Sequence, residues 1–304
     1  MSKKLDCLGL GIAPVDLLMG IDKYPPPGAK IDASNLTIQG GGPIPTAMVT
    51  MARLGMKPGL LAPVGDDIFG RFVMDELKKD KVDTSCIVRK KKPTPIAAGW
   101  IEKDNGRRTI VLDLKIELKP TDIRLDKLPK IRAVHLDGRY LPACLKLARW
   151  ARKNNIPVVF DIGSLRNDVS RLIPLTDHLV VPEEFALPFT NCRKPEKAIE
   201  KLSRICRGTV VVTAGTRGSV GYSRETGFVR QKAYRVKTVD TTGAGDSYHG
   251  AYIFGLLKGW DLAERLNFAS AVAAIKCTKP GGRTGIPSYR QTVDFIKRGA
   301  SVYA

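Results

Sequence analysis

The sequence predicts an α/β protein: a doubly wound, mainly parallel sheet with helices on both faces, joined by a small β-sheet. Three observations carry this expectation. From residue 131 onward, short apolar strands alternate with amphipathic helical stretches, the pattern of a parallel sheet covered on both sides. Residues 94–114 break that rhythm with two strand-like runs around a turn. The 304 residues, 43% apolar and 26% charged, have ordinary globular usage and suffice for one large α/β domain, which excludes disordered and fibrous classes. A single domain over 1–304 is expected, with segments 29–39 and 94–114 forming a small β-sheet lid.

In chain order, Leu5–Ala13 reads as a buried strand and Pro25–Gly28 as a turn. Pro43–Leu54 has helical spacing, with an apolar stripe of Met48, Met51, Ala52 and Leu54 closed by Gly55. Leu60–Val64 is a short strand, after which Asp66 or Asp67 caps a helix presenting Phe69, Phe72, Val73 and Leu77 on one side. Ile96–Ile101 and Arg108–Leu112 flank the hairpin turn Asp104-Asn105-Gly106, and the partly alternating Lys30–Ile38 joins them in the small sheet. The main rhythm runs strand Ala133–Leu136, helix Ala143–Lys153, strand Val158–Phe160, helix Asn167–Leu172, strand His178–Val181, helix Glu196–Cys206 and strand Val210–Val212. A hairpin-rich patch at 218–238 leads into helices over 244–257, 261–277 and 288–298. In such sheets ligands collect beyond the carboxyl ends of the strands.

Fifty Lys and Arg against thirty Asp and Glu leave a net charge of +20. That balance favours anionic partners and says nothing about fold. The six cysteines (Cys7, Cys86, Cys144, Cys192, Cys206, Cys277) show no CxxC spacing, and His135, His178 and His249 lie far apart in sequence, so neither a disulfide scaffold nor a zinc site is expected. Buried thiols in a cytoplasmic protein are the natural reading. No stretch approaches the roughly 18 apolar residues of a membrane span, and the start of the chain lacks a signal-peptide core.

The most informative stretch is Asp240-Thr241-Thr242-Gly243-Ala244-Gly245-Asp246-Ser247-Tyr248-His249-Gly250-Ala251, a loop with two glycines running into a helix. Helix N-termini offer unpaired N–H groups and the positive end of the dipole, which suits phosphate. Glycines at 243 and 245 let the backbone bend and approach an anion closely. A carboxylate there would repel phosphate, so Asp246 needs a positive reason to be present. Accepting a proton from a hydroxyl is one.

These residues resemble the C-terminal motif of the ribokinase-like (phosphofructokinase-B) family of carbohydrate kinases, close to D-T-x-G-A-G-D-x-[FY]-x-G. Asp240, Thr241, Gly243, Ala244, Gly245, Asp246, Tyr248 and Gly250 meet every fixed position. The family's N-terminal motif, a Gly-Gly pair before a helix ending A-R-L-G, is matched by Gly41, Gly42 and Ala52-Arg53-Leu54-Gly55. Val64-Gly65-Asp66-Asp67-x-x-Gly70 and Val211-Val212-Thr213-x-Gly215-x-x-Gly218 are further family-like pieces, in the right order over nearly the whole chain.

The resemblance implies a ribokinase-like fold, ATP as donor, Mg²⁺, and a sugar as acceptor. It makes Asp246 the catalytic base and Gly243, Ala244, Gly245 and Asp246 the anion hole. Asp16 would grip sugar hydroxyls, with Gly41 and Gly42 closing on the sugar. Thr213, Gly215 and Gly218 would form the nucleotide-binding turn, with Asn267 or Ala271 beside the adenine. Two positions depart from the pattern. Thr46 stands where many members have Asn in the Gly-Gly motif, and the N-x-x-E element that organises Mg²⁺ through water has no Asn, leaving Glu183 or Glu184 to substitute. A monovalent cation such as K⁺, near Asp240 and Thr242, is a further option.

The Gly40-Gly41-Gly42-Pro43 form with Lys30 and Arg139 is similar to kinases of ketoses bearing an acidic or sulfonated end; Arg107 and Arg108 lie in the lid hairpin, and the Arg fork matches an anion. A fructose-like or acidic ketose is therefore expected, with a nucleoside as the alternative within the fold. Exposed lid edges suggest a homodimer formed through the lid. Other classes fit poorly. No Gly-Lys dipeptide exists for a P-loop, and Pro14 stands where a Rossmann fingerprint begun at Gly9 and Gly11 needs its third glycine. Beyond Arg89-Lys90-Lys91-Lys92 there is no dense basic tract with aromatics, so nucleic acid is not expected as partner.

Overall fold

The computed structural model describes residues 4–104, 108–163, 169–299 and 301–302. Along the chain, β1 (Lys4–Leu10), β2 (Val15–Ile21) and β3 (Asn35–Gly40) precede α1 (Pro43–Arg53), and β4 (Pro58–Leu61) and β5 (Pro63–Gly65) precede α2 (Ile68–Lys79). Then come β6 (Val88–Lys90), β7 (Ile96–Glu102), β8 (Arg108–Asp113), β9 (Lys130–Leu136), α3 (Leu141–Lys153), β10 (Val158–Asp161), β11 (His178–Pro182), α4 (Glu183–Thr190), α5 (Pro195–Leu202) and β12 (Thr209–Thr213). The hairpin β13 (Ser219–Ser223) and β14 (Gly227–Gln231) leads to α6 (Ala244–Lys258), α7 (Leu262–Lys276) and α8 (Tyr289–Lys297).

Eight strands form the main sheet in the order β14-β13-β12-β11-β10-β9-β1-β4. The six from β12 to β4 are parallel, and only the β13–β14 hairpin at one edge is antiparallel. The all-apolar strands have a simple cause: successive side chains point to opposite faces, and both faces are covered. Val158 and Phe160 sit in one apolar layer and Val159 in the other; Val210 and Val212 separate from Val211 in the same way. α3, α4 and α5 cover the first face, and α1, α6 and α7 the second.

A second sheet, β3-β2-β7-β8, pairs β2 with β7 in parallel and its other neighbours antiparallel. Its β2 is absent from the sequence reading, which ran one strand from Leu5 to Ala13. The run of apolar residues hides a break: the chain leaves the main sheet at Leu10 and re-enters pairing only at Val15. Leu60–Val64 likewise divides into β4 and β5, the latter pairing with β6. Asp67, not Asp66, caps α2, accepting from Gly70 N at 2.7 Å. In place of the helix expected over Asn167–Leu172, Val169–Leu175 is a 3₁₀ segment holding Pro174; Asn167 and Asp168, like Asn105, Gly106 and Arg107 of the hairpin turn, lie outside the described residues. The sequence reading also missed α4, whose Pro188 weakens any helical signal. Among the described residues no helix is long and apolar enough to cross a membrane.

Candidate active site

α6 begins against the carboxyl ends of the parallel strands. Its N-cap, Gly243, has φ +74°, and a Cβ there would lie 2.5 Å from the Gly282 carbonyl oxygen, so only glycine fits. No side chain caps this terminus; Ala244 N donates to the Thr241 carbonyl at 3.1 Å, which leaves the amides of Gly243, Gly245 and Asp246 to a ligand. Asp240 fixes the loop before it: its carboxylate accepts from Thr242 N (2.7 Å) and Gly281 N (2.8 Å), and its carbonyl accepts from Lys276 Nζ (2.8 Å).

In front of this terminus lies a cleft of about 610 Å³. The strand ends supply Ile12, Asp137, Asp161, Pro182 and Thr213; the α6 loop supplies Thr241, Thr242, Gly243, Gly245, Asp246 and, one turn on, His249. The second sheet forms the opposite wall through Asp16, Ala97, Arg108, Ile110 and Leu112, which share one face of that sheet because each is paired, or two residues from paired, with the next. Gly42 closes the side. At Gly41 a Cβ would collide with the Asp16 carboxylate, so the diglycine is needed for close approach.

Acids converge here in low dielectric. Burial, reinforced by the Asp161 charge, pushes Asp246 up to about 6, against the opposing pull of Arg108, Arg283 and Lys276. Burial also raises Asp16 to about 6, with Arg283 the main counterweight, and Asp161 to about 7. Asp137 is held between Ile12 N (3.1 Å) and Arg139 N (2.9 Å), so it shapes the strand ends. The fold also unites two of the histidines that are distant in sequence. His135 and His249 stack with ring centroids 5.4 Å apart, and His249 Nε2 lies 3.5 Å from Asp161. Burial keeps both imidazoles neutral, near 3.

A second pocket of about 250 Å³ opens beside the first, sharing Thr213, Thr241 and Gly245 with it. Gly215, Gly218, Ala233, Val236, Ser270, Ala273, Ala274 and Cys277 give it largely apolar walls suited to a flat base. The slot extends to the start of α6, where Ala244 and Gly245 line it.

Most sequence-nominated residues meet here. Asp246, Gly243, Gly245, Asp16, Gly42, Arg139 and Glu184 line the cleft, and Ala244, Gly215 and Gly218 line the slot. Others do not. Lys30 lies in the exposed segment between β2 and β3, away from both pockets. Thr46 is buried with its hydroxyl toward Arg283 Nε (3.4 Å). Glu183 pairs with Arg217, leaving Glu184 as the acid at the cleft. The helical period puts residues 270, 273, 274 and 277 of the α7 region against the slot; Ala271 turns into the core, and Asn267 accepts from the Tyr234 hydroxyl at 2.6 Å. The sequence reading missed Asp161, His249 and Arg283 as site residues. The strand-end rule would have flagged Asp161, whereas Arg283 comes from a turn 237 residues after Thr46, with no local signal.

A model of the pfkB family of carbohydrate kinases matches residues 3–288. The chain is similar, at 29% identity, to the 5-dehydro-2-deoxygluconokinase of Clostridium perfringens, the alignment covering 87% of this chain and 85% of that one. Among solved structures it resembles Thermotoga maritima ribokinase (TM-score 0.86, 24% identity, 96% and 99% of the two chains). It likewise resembles Arabidopsis thaliana ribokinase complexed with ribose and ATP (TM-score 0.83, 21% identity, 97% and 99%). These likenesses over nearly the whole chain show the ribokinase-like α/β fold.

Proposed function

Because the chain belongs to the pfkB family of carbohydrate kinases, we propose that its cleft moves the γ-phosphoryl group of ATP onto a hydroxyl of an acidic ketose of the 5-dehydro-2-deoxygluconate kind. The observation that carries this reading is Asp246 in the first turn of α6, lining the cleft beside the helix-opening amides of Gly243 and Gly245. Asp246 takes the proton of the acceptor hydroxyl as that oxygen bonds to the γ-phosphorus and the bond to ADP breaks. The amides of Gly243, Gly245 and Asp246 hold the equatorial oxygens, where preorganised dipoles are most effective; Ala244, expected to join them, instead donates its N–H to the Thr241 carbonyl at 3.1 Å. The nucleotide base takes the apolar slot around Gly215, Gly218 and Ala274.

Asp16 receives sugar hydroxyls from the opposite wall, and Arg108 and Arg139 in the same cleft favour an acceptor with an anionic end. The name of the Clostridium relative points to the same chemistry. For Mg²⁺ the residues fit in part: Glu184 reaches the cleft near Asp161 and Asp246, and Glu183 does not. Mg²⁺ bound with ATP would neutralise charge on the β- and γ-phosphates.

The second sheet also supports pairing of two copies. Its cleft face is used, while Leu36, Ile38 and Val111 on the other face are 51–59% exposed and continue an apolar surface with Leu17, Met19 and Trp100. A second copy of the chain covering that face, as one lid over each cleft, is part of the proposal. The test of the substrate is an ADP-release assay over 5-dehydro-2-deoxygluconate, neutral ketoses, other sugar acids and nucleosides. Preference for the acidic ketose is expected. Turnover confined to nucleosides, or to neutral sugars, refutes the assignment.

A further inference from the structure

We propose that the side chain of Lys276 is the site's own monovalent cation, a positioning residue that holds the Asp240 carbonyl behind the anion hole and makes the enzyme independent of added K⁺. This rests on the kinase reading of the α6 loop and deepens it.

Lysine is almost never fully buried unless something binds its ammonium. Lys276, the last residue of α7, is among the largest fully buried side chains of the protein, with no exposed surface. Its Nζ donates to the carbonyl oxygen of Asp240 at 2.8 Å. That is the residue whose carboxylate orders the loop through Thr242 N and, across a second turn, Gly281 N. One charged group thus ties the end of α7 to the segment that opens α6 four residues later. A bare carbonyl aimed into a closed interior is what would otherwise attract an alkali-metal ion there. With the ammonium at 2.8 Å from that oxygen, the place is taken, and a K⁺ site including the Asp240 carbonyl does not fit.

The electrostatics agree with a charged occupant. Burial pulls the Lys276 ammonium below its ordinary pKa, while the Asp240, Cys277 and Asp246 side chains favour the charged form and Arg108 opposes it. Asp246 in turn feels Lys276 among the cations that oppose its rise. A fixed positive charge behind the amides also favours the phosphoryl oxygens that they receive, at no reorganisation cost during transfer.

The test uses nucleotide binding, which needs no knowledge of the acceptor. Affinity for MgATP is measured by calorimetry at fixed ionic strength in KCl, NaCl and tetramethylammonium chloride, for the natural chain and for Lys276→Met. The natural chain is expected to vary less than about twofold among the three salts. The Met variant in tetramethylammonium should bind roughly 10- to 100-fold more weakly, the range for a lost charged hydrogen bond, and K⁺ or NH₄⁺ should restore much of the loss. A merely structural lysine would not be replaced by a diffusible cation. If the natural chain gains tenfold or more from K⁺, the proposal is wrong whether or not the variant folds. It is equally wrong if the Met variant binds normally without K⁺ or is not rescued by either cation. Failure of the acidic-ketose assignment would change none of these outcomes.

Discussion

Replacing Asp246 with Asn removes the proton acceptor while keeping size and hydrogen-bonding shape. General-base loss costs roughly 10²–10⁴ in turnover, or about 3–5 kcal/mol of transition-state stabilisation. The structure sharpens this in two ways. With Asp246 near 6, the natural enzyme should lose activity about tenfold per pH unit below that value and be flat above it. The same shift is a stability statement. The folded pKa is raised from an unfolded value of 3.8, so ionised Asp246 costs nothing below about pH 4. The cost grows from pH 4 to 6 and reaches about 3 kcal/mol above it. Asp246→Asn should therefore raise the melting temperature by a few degrees at pH 8 and leave it nearly unchanged at pH 4. Steady-state ADP release across pH 4.5–9, with calorimetric melting at both ends, provides the assay. Turnover within tenfold of the natural enzyme would refute Asp246 as base. A melting temperature that falls at pH 8 would refute the electrostatic argument for its strain.

Asp161→Asn removes the charge that helps raise Asp246, so the acid limb should move to lower pH; an unmoved limb in the pH–rate profile would mean the two carboxylates do not communicate. Asp16→Asn should raise sugar KM roughly 10- to 100-fold, the worth of charged hydrogen bonds to hydroxyls, with ATP KM nearly unchanged; equal effects on both substrates would argue against Asp16 as sugar ligand. Val111→Asp places a charge on the exposed apolar face of the second sheet and should give monomers by sedimentation, while the natural chain sediments as a dimer. A natural chain that sediments as a monomer would remove the pairing proposal.

The sequence by itself determined the main sheet and the local form of the α6 loop. Both are local signals. Runs such as Val158–Phe160 and Val210–Val212 declare burial on both faces, and the glycines at 243 and 245 with Asp246 declare a tight loop opening a helix, the basis of the proposed anion hole, because backbone conformation and helix dipole act over a few residues. What only the tertiary structure decided is which distant residues share that start. Lys30 seemed as good a basic residue as Arg139, yet only Arg139 ends at a strand terminus facing the cleft. Glu183 and Glu184 are neighbours in sequence, but the helix turn sends one to Arg217 and the other to the cleft. His135, Asp161 and His249 come from two strands and a helix, and Lys276 and Arg283 come from the end of α7 and the turn that follows it. Their roles follow from packing across the sheet and from the low dielectric that packing creates. Neither is encoded in the spacing of neighbouring residues, because burial and electrostatic coupling depend on distance through space.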